Sequence, residues 1–305
     1  MSSELARRVA FAVIAVPVGV AIVVYGGAPL AALLAIVSAL AAWELFRIAR
    51  AAGLTPMDDA GIALAGLLPL LVHARFLRIY DPESALGPLS LGALVLLTLM
   101  AAAIWVRGVS GKPLGAVAVT AFGVAYTGGM LSFGYAIRYH DYAFAPASLV
   151  FGSRTMSVPS GALLLLLPMF ITWGSDTGAY AVGKSIGRHK LAPAVSPGKT
   201  IEGALGALAA SVIIGWAYSR WILRPAAHLD FRWAPAGAIL FSIIVSVSGQ
   251  IGDLAKSLFK REVGVKDSSH IIPGHGGVLD RFDSLLFALP ISYVLFSWLL
   301  TWAPA

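Results

Sequence analysis

Long apolar segments recur along the whole chain, and each is about as long as a membrane-spanning helix. A helix needs roughly 20 apolar residues to cross the hydrocarbon core, because lipid cannot satisfy an exposed polypeptide backbone. Nine spans are predicted, at residues 9–25, 29–50, 60–80, 89–106, 113–137, 160–183, 200–223, 235–253 and 281–302. The pattern predicts an all-α, polytopic integral membrane protein with about nine transmembrane helices.

Composition excludes several other classes of protein. Of the 305 residues, 58% are hydrophobic and 12% are charged, whereas soluble domains carry about 25% charged residues. The chain has no cysteine, which excludes disulfides and thiolate chemistry. The formal net charge of +7 suits an anionic membrane surface or a phosphate-bearing substrate. Because this charge lies in short connections between spans, we expect no nucleic acid as a partner.

The distribution of basic residues predicts the orientation of the chain in the inner (plasma) membrane. The N-terminus and the connections after the second, fourth, sixth and eighth spans carry 15 Lys and Arg residues, and the opposite side carries 7. We therefore expect a cytoplasmic N-terminus, two cytoplasmic polar connections at 184–199 and 254–280, and an active site facing the cytoplasm. Five N-terminal spans, 1–159, would precede a C-terminal catalytic region, 160–305, that contains both connections.

The most polar stretch of the chain, residues 257–283, lies between two apolar spans. A hydrophobic protein has no structural need for such a cluster, so we interpret it as a functional site. Asp253 ends the eighth predicted span, and Asp280 and Asp283 share a helix face at the start of the ninth. Their oxygens are hard ligands suited to Mg²⁺. The alternative is a helix cap followed by a first-turn acid, which a helix N-terminus also favours.

Polar side chains also follow the eighth span beyond its apolar part. If the helix continues past Asp253, helical spacing places one stripe of residues on a common face: Gln250, Asp253, Lys256, Ser257 and Lys260. Four cations are dense in this region, and they are either topogenic charges or ligands of a polyphosphate: Lys260, Arg261, Lys266 and Arg281.

A glycine-rich turn, residues 273–277, separates these cations from the acidic pair. Gly276 and Gly277 allow the backbone to approach a ligand closely and to present its N–H groups. A plain tight turn is the alternative. His275, within the turn, is more typical of a hydrogen-bonding loop residue than of a metal ligand or a base.

A second cluster begins at Asp176, inside the sixth predicted span. An ionisable residue is costly in a membrane and is therefore a functional candidate, although a hydrogen bond to a neighbouring helix would also explain it. The following connection ends in Gly198-Lys199-Thr200, which is not a P-loop, because Pro193 stands where that motif needs glycine and no strand precedes it. We interpret it as a loop leading into a helix N-terminus at Thr200, with Lys199 and exposed N–H groups available to a phosphate.

Two glutamates have simpler interpretations. Glu44 is isolated in the second span, where it either forms a hydrogen bond between helices or lines a groove for lipid access. We favour the hydrogen bond. Glu202 is expected to be only a favourable charge in the first turn of its helix.

Three motifs together resemble the phosphatidate cytidylyltransferase (CDP-diacylglycerol synthase) family. The first is Ser257-x-Phe259-Lys260-Arg261, four residues, Lys266-Asp267, then Pro273-x-His275-Gly276-Gly277-x-x-Asp280-Arg281-x-Asp283. The others are Ser175-Asp176-Thr177-x-Ala179-Tyr180 and Ser196-Pro197-x-Lys199-Thr200-x-Glu202-Gly203. Close matches cover residues 173–284, whereas the first 150 residues match only in hydropathy and in Trp43-Glu44. Gly198 departs from the family, which often has a second lysine there, so this loop has one cation fewer.

The resemblance implies a function in phospholipid biosynthesis, in which CTP and phosphatidic acid give CDP-diacylglycerol and pyrophosphate in the lipid bilayer. It implies catalytic roles for Asp253, Asp280, Asp283, Lys260, Arg261, Lys266 and Arg281. It implies substrate binding by Asp176, Ser196, Lys199, Thr200, Lys256, Ser257, Asp267, His275, Gly276 and Gly277. Asp253, Asp280 and Asp283 would hold one or two Mg²⁺ ions, and a homodimer is compatible with these features.

Three other functions stay open from the residues. A CTP-dependent enzyme could act on a polyprenol or an archaeal ether lipid instead. A CDP-alcohol phosphotransferase needs a D-G-x-x-A-R motif and final aspartates four residues apart, and this chain has neither. An ion-coupled transporter would use Asp176 and Glu44 as intramembrane carboxylates, but no internal repeat supports it and the polar residues concentrate at one membrane face.

Overall fold

The computed structural model describes residues 3–77, 88–141, 146–151, 154–269, 271 and 276–303. Within these ranges the α-helices are α1 (Ser3–Tyr25), α2 (Gly27–Ala51), α3 (Asp58–Phe76), α4 (Pro88–Ala102), α5 (Pro113–Val124), α6 (Met130–Arg138), α7 (Ser160–Ile186), α8 (Ile201–Tyr218), α9 (Ala236–Glu262) and α10 (Leu279–Leu299). Three π-helical segments extend or join them: Ala103–Arg107 after α4, Ala125–Gly129 between α5 and α6, and Ser219–Ala227 after α8.

Eight helices in the described part of the chain are long and apolar enough to cross a membrane. They are Gly27–Ala51, Asp58–Phe76, Ser90–Arg107, Pro113–Arg138, Ser160–Ile186, Ile201–Ala227, Ala236–Glu262 and Leu279–Leu299. The first helix contributes a shorter apolar segment, Val13–Tyr25. These helices confirm the predicted class, a polytopic helical membrane protein, while the total of nine spans and the orientation stay predictions.

The eighth predicted span is longer than its apolar part. α9 runs nine residues beyond Asp253 to Glu262, and α10 begins at Leu279, so residues 254–262 are helix and not part of a loop. The helix continues because residues 254–263 include no glycine or proline. Gly264, just after the helix, has a φ of +70°, a left-handed conformation that is common where helices end. The polar stripe from Gln250 to Lys260, which required the helix to continue past Asp253, therefore lies on one helix.

Three antiparallel strand pairs lie in the connections between helices. They are β1 (Pro146–Phe151) with β2 (Arg154–Pro159), β3 (Lys190–Ala192) with β4 (Ser196–Thr200), and β5 (Leu229–Phe231) with β6 (Leu300–Trp302). The first pair occupies the segment before the sixth predicted span. The second forms a hairpin in the connection 184–199, for which no strand was predicted.

The contacts of the chain divide it into two compact units, each assembled from separated stretches. The first unit comprises Met1–Ala15, Gly27–Tyr135 and Phe259–Phe282, and the second comprises Val16–Gly26, Ala136–Leu258 and Asp283–Ala305. The predicted division at residue 159 concerns function and stays a prediction.

Glycines allow close helix packing in the first unit. The ring of Phe46 on α2 is fully buried and occupies the space that a Cβ would need at Gly61 and at Gly123. A Cβ at Gly128 would collide with the backbone of Ala65 on α3. Glycines on α3, on α5 and in the π-helical segment after α5 therefore allow close packing, as small residues commonly do in membrane proteins.

The second unit contains an extensive contact between α7 and α8. A Cβ added at Gly178 would lie 2.6 Å from the carbonyl oxygen of Gly206, so the two helices touch through their backbones. At the other end of this pair, the Tyr218 hydroxyl donates a hydrogen bond to the Leu163 carbonyl at 2.8 Å. The antiparallel packing of the two helices places the first turn of α8 beside the last turns of α7.

Candidate active site

One lysine ammonium group joins two carboxylates in the second unit. Asp253 and Lys256 lie one turn apart on α9, and Lys256 Nζ lies 3.1 Å from Asp253 Oδ1. The same ammonium group donates a hydrogen bond to Oδ2 of Asp283, near the start of α10. The structure therefore brings together two of the acids that the sequence singled out.

A second lysine extends this network toward solvent. Nζ of Lys199, in β4, lies 2.5 Å from Oδ2 of Asp253. The side chains of Lys256 and Asp283 are 7% and 9% exposed, whereas those of Lys199 and Asp253 are 26% and 30% exposed. Buried charges are tolerated when each has an opposite partner, and the two lysines balance the two aspartates. The exposed half of the network can exchange a partner for a ligand, while the buried half holds it in place.

A cavity of about 360 Å³ opens beside this exposed half. Its polar lining comprises Ser175, Asp176, Lys184, Lys199, Thr200, Gln250 and Asp253, and its less polar lining includes Ala179, Tyr180, Leu191 and Ala204. The size and the mixture of apolar walls with a few converging polar groups are typical of a small-molecule site. Asp176 is exposed and contributes to this wall.

The helix N-terminus predicted at Thr200 is confirmed. Thr200 has an extended backbone, and its hydroxyl oxygen accepts a hydrogen bond from the Gly203 N–H at 3.1 Å, which makes it the N-cap of α8. The Ile201 N–H donates to the His189 carbonyl at 2.9 Å, so the N–H groups expected to be exposed in this turn are used within the protein. The ammonium group of Lys199 lies at the edge of the cavity. A helix N-terminus beside a cation favours a bound anion such as phosphate.

Glu202 does more than supply the expected first-turn charge. Its carboxylate accepts hydrogen bonds from the backbone N–H of Arg188 at 3.1 Å and from the backbone N–H of His189 at 3.2 Å. The Nδ1 atom of His189 lies 2.6 Å from the same carboxylate. Glu202 therefore ties the start of the β3–β4 hairpin to α8 and helps to place Lys199.

Asp280 is the centre of a separate cluster in the first unit. Its Oδ1 lies 2.6 Å from Lys260 Nζ, and its Oδ2 accepts hydrogen bonds from the backbone N–H groups of Ser268 and Gly277 at 3.0 and 3.1 Å. The Gly277 N–H, expected to be presented to a ligand, thus binds a side chain of the protein. Gly276 has a φ of +79°, a left-handed conformation that favours glycine.

Glu44 is fully buried and binds the start of α10. Its Oε1 accepts from the Ser269 hydroxyl at 2.5 Å and from the Val278 N–H at 2.8 Å. Its Oε2 accepts from the Ser268 hydroxyl at 2.7 Å and from the Leu279 N–H at 2.8 Å. Glu44 is therefore a hydrogen-bonding residue, as favoured from the sequence, and its partners belong to the polar stretch that follows α9.

Most of the other predicted residues are exposed or partly exposed. Arg261, Lys266, Asp267 and Arg281 are exposed, Ser257 on α9 and Ser196 on β4 are partly exposed, and His275 lies outside the described residues. The guanidinium of Arg261 donates to the Val265 carbonyl at 3.2 Å, beyond the end of its helix.

Sequence reasoning missed Ser268 and Ser269, and it gave Lys256 only a substrate-binding role. A signal was present, because two adjacent hydroxyls between the cationic and glycine motifs are suitable partners for the isolated acid in the second span. In the described ranges, no three His, Asp or Glu side chains form a group that could hold a metal ion. Asp253 and Asp283 instead share the Lys256 ammonium, and Asp280 binds Lys260.

Comparison with known proteins gives consistent results. Residues 6–299 match the model described as the Cytidylyltransferase family. A protein named phosphatidate cytidylyltransferase from Staphylococcus saprophyticus is 38% identical over 241 residues, which are 77% of this chain and 86% of that protein. Proteins of the same name from Staphylococcus aureus strain COL and Staphylococcus haemolyticus are 44% and 45% identical over 156 and 135 residues. These two alignments cover 50% and 44% of this chain and 55% and 49% of those proteins.

Proposed function

The chain belongs to the cytidylyltransferase family, and we propose that it transfers the cytidylyl group of CTP to phosphatidic acid. The products are pyrophosphate and CDP-diacylglycerol, a lipid that stays in the bilayer. One observation carries the proposal: Lys199 and Asp253 form an ion pair at the edge of a cavity, next to the N-terminus of α8. A phosphate that enters the cavity would meet the Lys199 ammonium group and the positive end of the α8 dipole there.

The reaction needs little acid–base chemistry from the protein. A phosphomonoester has a second pKa of about 6, so the phosphate of phosphatidic acid is largely ionised near neutral pH. One of its oxygens attacks the α-phosphorus of CTP, a new P–O bond forms, and the bond to the β-phosphate oxygen breaks to release pyrophosphate. The protein's tasks are to align the two phosphates and to neutralise their charge.

Lys199 and Lys256 have different parts in this proposal. Lys199 is partly exposed and can leave Asp253 for a substrate phosphate. Lys256 is buried between Asp253 and Asp283 and holds the two carboxylates close to each other. The exposed cations Arg261, Lys266 and Arg281 would bind phosphate oxygens of either substrate.

Asp253 and Asp283 have the donor chemistry for Mg²⁺. Both present hard carboxylate oxygens. Because Lys256 and Lys199 already neutralise these oxygens, a bound ion would take the place of an ammonium group beside them. We propose Asp253 and Asp283 as the ligands of one ion in the second unit, and Asp280 as a ligand of an ion in the first. When bound, Mg²⁺ neutralises charge on the transferred and departing phosphates.

We also propose that the protein lies in the inner membrane and that its site faces the cytoplasm, where CTP is made. The excess of Lys and Arg in the connections at 184–199 and after α9 supports this orientation.

The decisive experiment follows two labels of CTP. Purified protein in lipid nanodiscs is incubated with Mg²⁺, phosphatidic acid and CTP labelled at either the α- or the γ-phosphate. The proposal predicts that the α-label appears in a lipid and the γ-label in pyrophosphate. An α-label released as a water-soluble nucleotide, or no consumption of CTP, would contradict it.

Substitute lipids separate the related candidate functions. Diacyl phosphatidic acid is compared with its ether-linked analogue and with a polyprenyl phosphate under the same conditions. A preference for the diacyl lipid is expected. Faster labelling of either substitute would assign the enzyme to that lipid class instead.

A further inference from the structure

Glu44 is a fully buried carboxylate to which the proposed function assigns no role. It lies in the second half of α2, yet the four groups described as donating to it come from residues 268–279, more than 220 positions along the chain. Burying an ionised carboxylate is costly unless hydrogen bonds replace its water shell. Four charge-assisted hydrogen bonds, two to each oxygen, do so here, and they fix the orientation of every donor.

The same segment holds Asp280. The Ser268 hydroxyl lies 2.7 Å from Glu44 Oε2 and 2.9 Å from Asp280 Oδ2, so it can donate to either carboxylate. Ser268 also donates its backbone N–H to Asp280. Leu279, whose N–H binds Glu44, immediately precedes Asp280 in α10. Glu44 therefore fixes both the residue that binds the Asp280 side chain and the backbone from which that side chain projects.

Close packing leaves this arrangement little freedom. A Cβ added at Gly277 would collide with the Ser268 hydroxyl and with the Glu44 carboxylate. Glycine at this position thus allows the turn to lie directly against Glu44 while its N–H reaches Asp280. The glycine is needed for the approach of the backbone to a side chain of the protein.

We infer that Glu44 is a positioning residue that sets the orientation of Asp280 for the reaction. The inference rests on the proposed function, in which Asp280 belongs to the catalytic machinery. A residue that only stabilised the fold would change the yield or the melting temperature of the protein. A positioning residue also changes kcat at nearly constant KM, because a displaced catalytic group weakens binding of the transition state more than binding of the substrates.

The test compares four variants in the labelled-CTP assay. Glu44→Gln keeps the size of the side chain but turns an NH₂ group toward two donors. Glu44→Asp keeps the charge and both acceptor oxygens. Ser269→Ala removes one donor to Glu44 without touching Asp280. Ser38→Ala is the matched control, since Ser38 is buried on the same helix and its hydroxyl has no hydrogen-bond partner among the described residues.

The expected result is a loss of kcat by about 100-fold in Glu44→Gln, the cost of a catalytic group displaced by roughly 1 Å. KM for both substrates should stay within about threefold, and Ser38→Ala should behave as the wild type. Glu44→Asp keeps the charge on a side chain one methylene shorter, so its kcat should lie between those of Glu44→Gln and the wild type. Without substrates, trypsin should cleave after the exposed Lys266 faster in Glu44→Gln than in Ser38→Ala, which reports on the anchoring independently of activity.

Each outcome decides between the two hypotheses. A wild-type enzyme that makes no lipid-borne cytidylyl product removes the proposed function and this inference with it. An active wild type with Glu44→Gln within about threefold of its kcat overturns the inference alone. Equal losses in the Asp and Gln variants, with KM changed as much as kcat, would also overturn it. If Glu44→Gln does not fold, Ser269→Ala decides, since wild-type kcat in that variant contradicts the inference and a lower kcat at constant KM supports it.

Discussion

Lys256 donates a hydrogen bond to Asp283 from a position one helical turn beyond Asp253, to which it is also paired. Two helices, α9 and α10, thus contribute opposite charges to one buried network in the second unit. Because Lys256 and Asp283 are both nearly inaccessible, their pairing is a structural requirement as well as a candidate catalytic feature.

Replacing Lys256 with Met should destabilise the protein. The change leaves the buried Asp283 carboxylate without the described ammonium partner, and breaking a buried ion pair in this way costs about 3–5 kcal/mol. Thermal unfolding in detergent should show a clearly lower midpoint for Lys256→Met. Lys190→Met, on the exposed strand β3, is the control and should unfold at the wild-type temperature. Equal midpoints for the two variants would show that Lys256 and Asp283 are not paired in the membrane protein.

Replacing Asp283 with Asn should abolish turnover while leaving the protein folded. The amide has the same size as the carboxylate, and Lys256 keeps Asp253 as a partner. An amide is a weaker ligand for the proposed Mg²⁺ than a carboxylate, so the charge on the phosphates is less well neutralised and kcat is expected to fall by about 100-fold or more. Turnover of labelled CTP is measured beside the melting temperature. Asp59→Asn, at the exposed start of α3, is the control, and a fully active Asp283→Asn would remove Asp283 from the proposed metal site.

The orientation of the protein can be tested because the chain contains no cysteine. Arg188 lies in the connection before β3, and Arg232 lies in the connection between α8 and α9. Both residues are exposed, and each is replaced by cysteine in turn. In intact cells, a membrane-impermeant maleimide should label Arg232→Cys and not Arg188→Cys, since positive connections stay in the cytoplasm. Lysed cells should show labelling of both variants. Labelling of Arg188→Cys from outside would place the cavity on the face that CTP does not reach.

The membrane fold was predictable because each span is a local property of the sequence. An apolar run of about 20 residues can only be a helix in lipid, and the helices α2 to α10 follow those runs closely. The end of α9 was misplaced because hydropathy stops at Asp253 whereas the helix continues to Glu262. The β3–β4 hairpin is not predicted, because strands of three to five residues are too short to show a recognisable alternation of apolar and polar residues.

The candidate site was predictable in part, for a related reason. Spacing along one helix placed Asp253 and Lys256 on a common face, and their pairing is observed. Long-range partners have no such signal. Glu44 binds residues more than 220 positions away. A single sequence gives no sign that residues so far apart along the chain are in contact. The Gly277 N–H was assigned to a ligand because the sequence cannot show that Asp280 folds back onto it.

Lys199 should contribute mainly to the binding of a substrate phosphate. It is the more exposed lysine of the network, it lies at the N-terminus of α8, and its partner Asp253 retains Lys256 when Lys199 is removed. Lys199→Gln should therefore fold normally. A hydrogen bond between a charged group and a phosphate contributes about 1.5–3 kcal/mol, so kcat/KM for CTP or phosphatidic acid should fall by roughly 10- to 100-fold.

The measurement that tests Lys199 varies each substrate separately at saturating levels of the other. A higher KM for CTP alone would place the nucleotide phosphates at the α8 N-terminus, and a higher KM for phosphatidic acid alone would place the lipid phosphate there. Lys190→Gln is the control on the same hairpin, since its exposed side chain does not line the cavity. Because the Thr200 cap and the Glu202 tether are untouched, unchanged kinetics in Lys199→Gln would mean that the cavity beside Asp253 does not bind a phosphate.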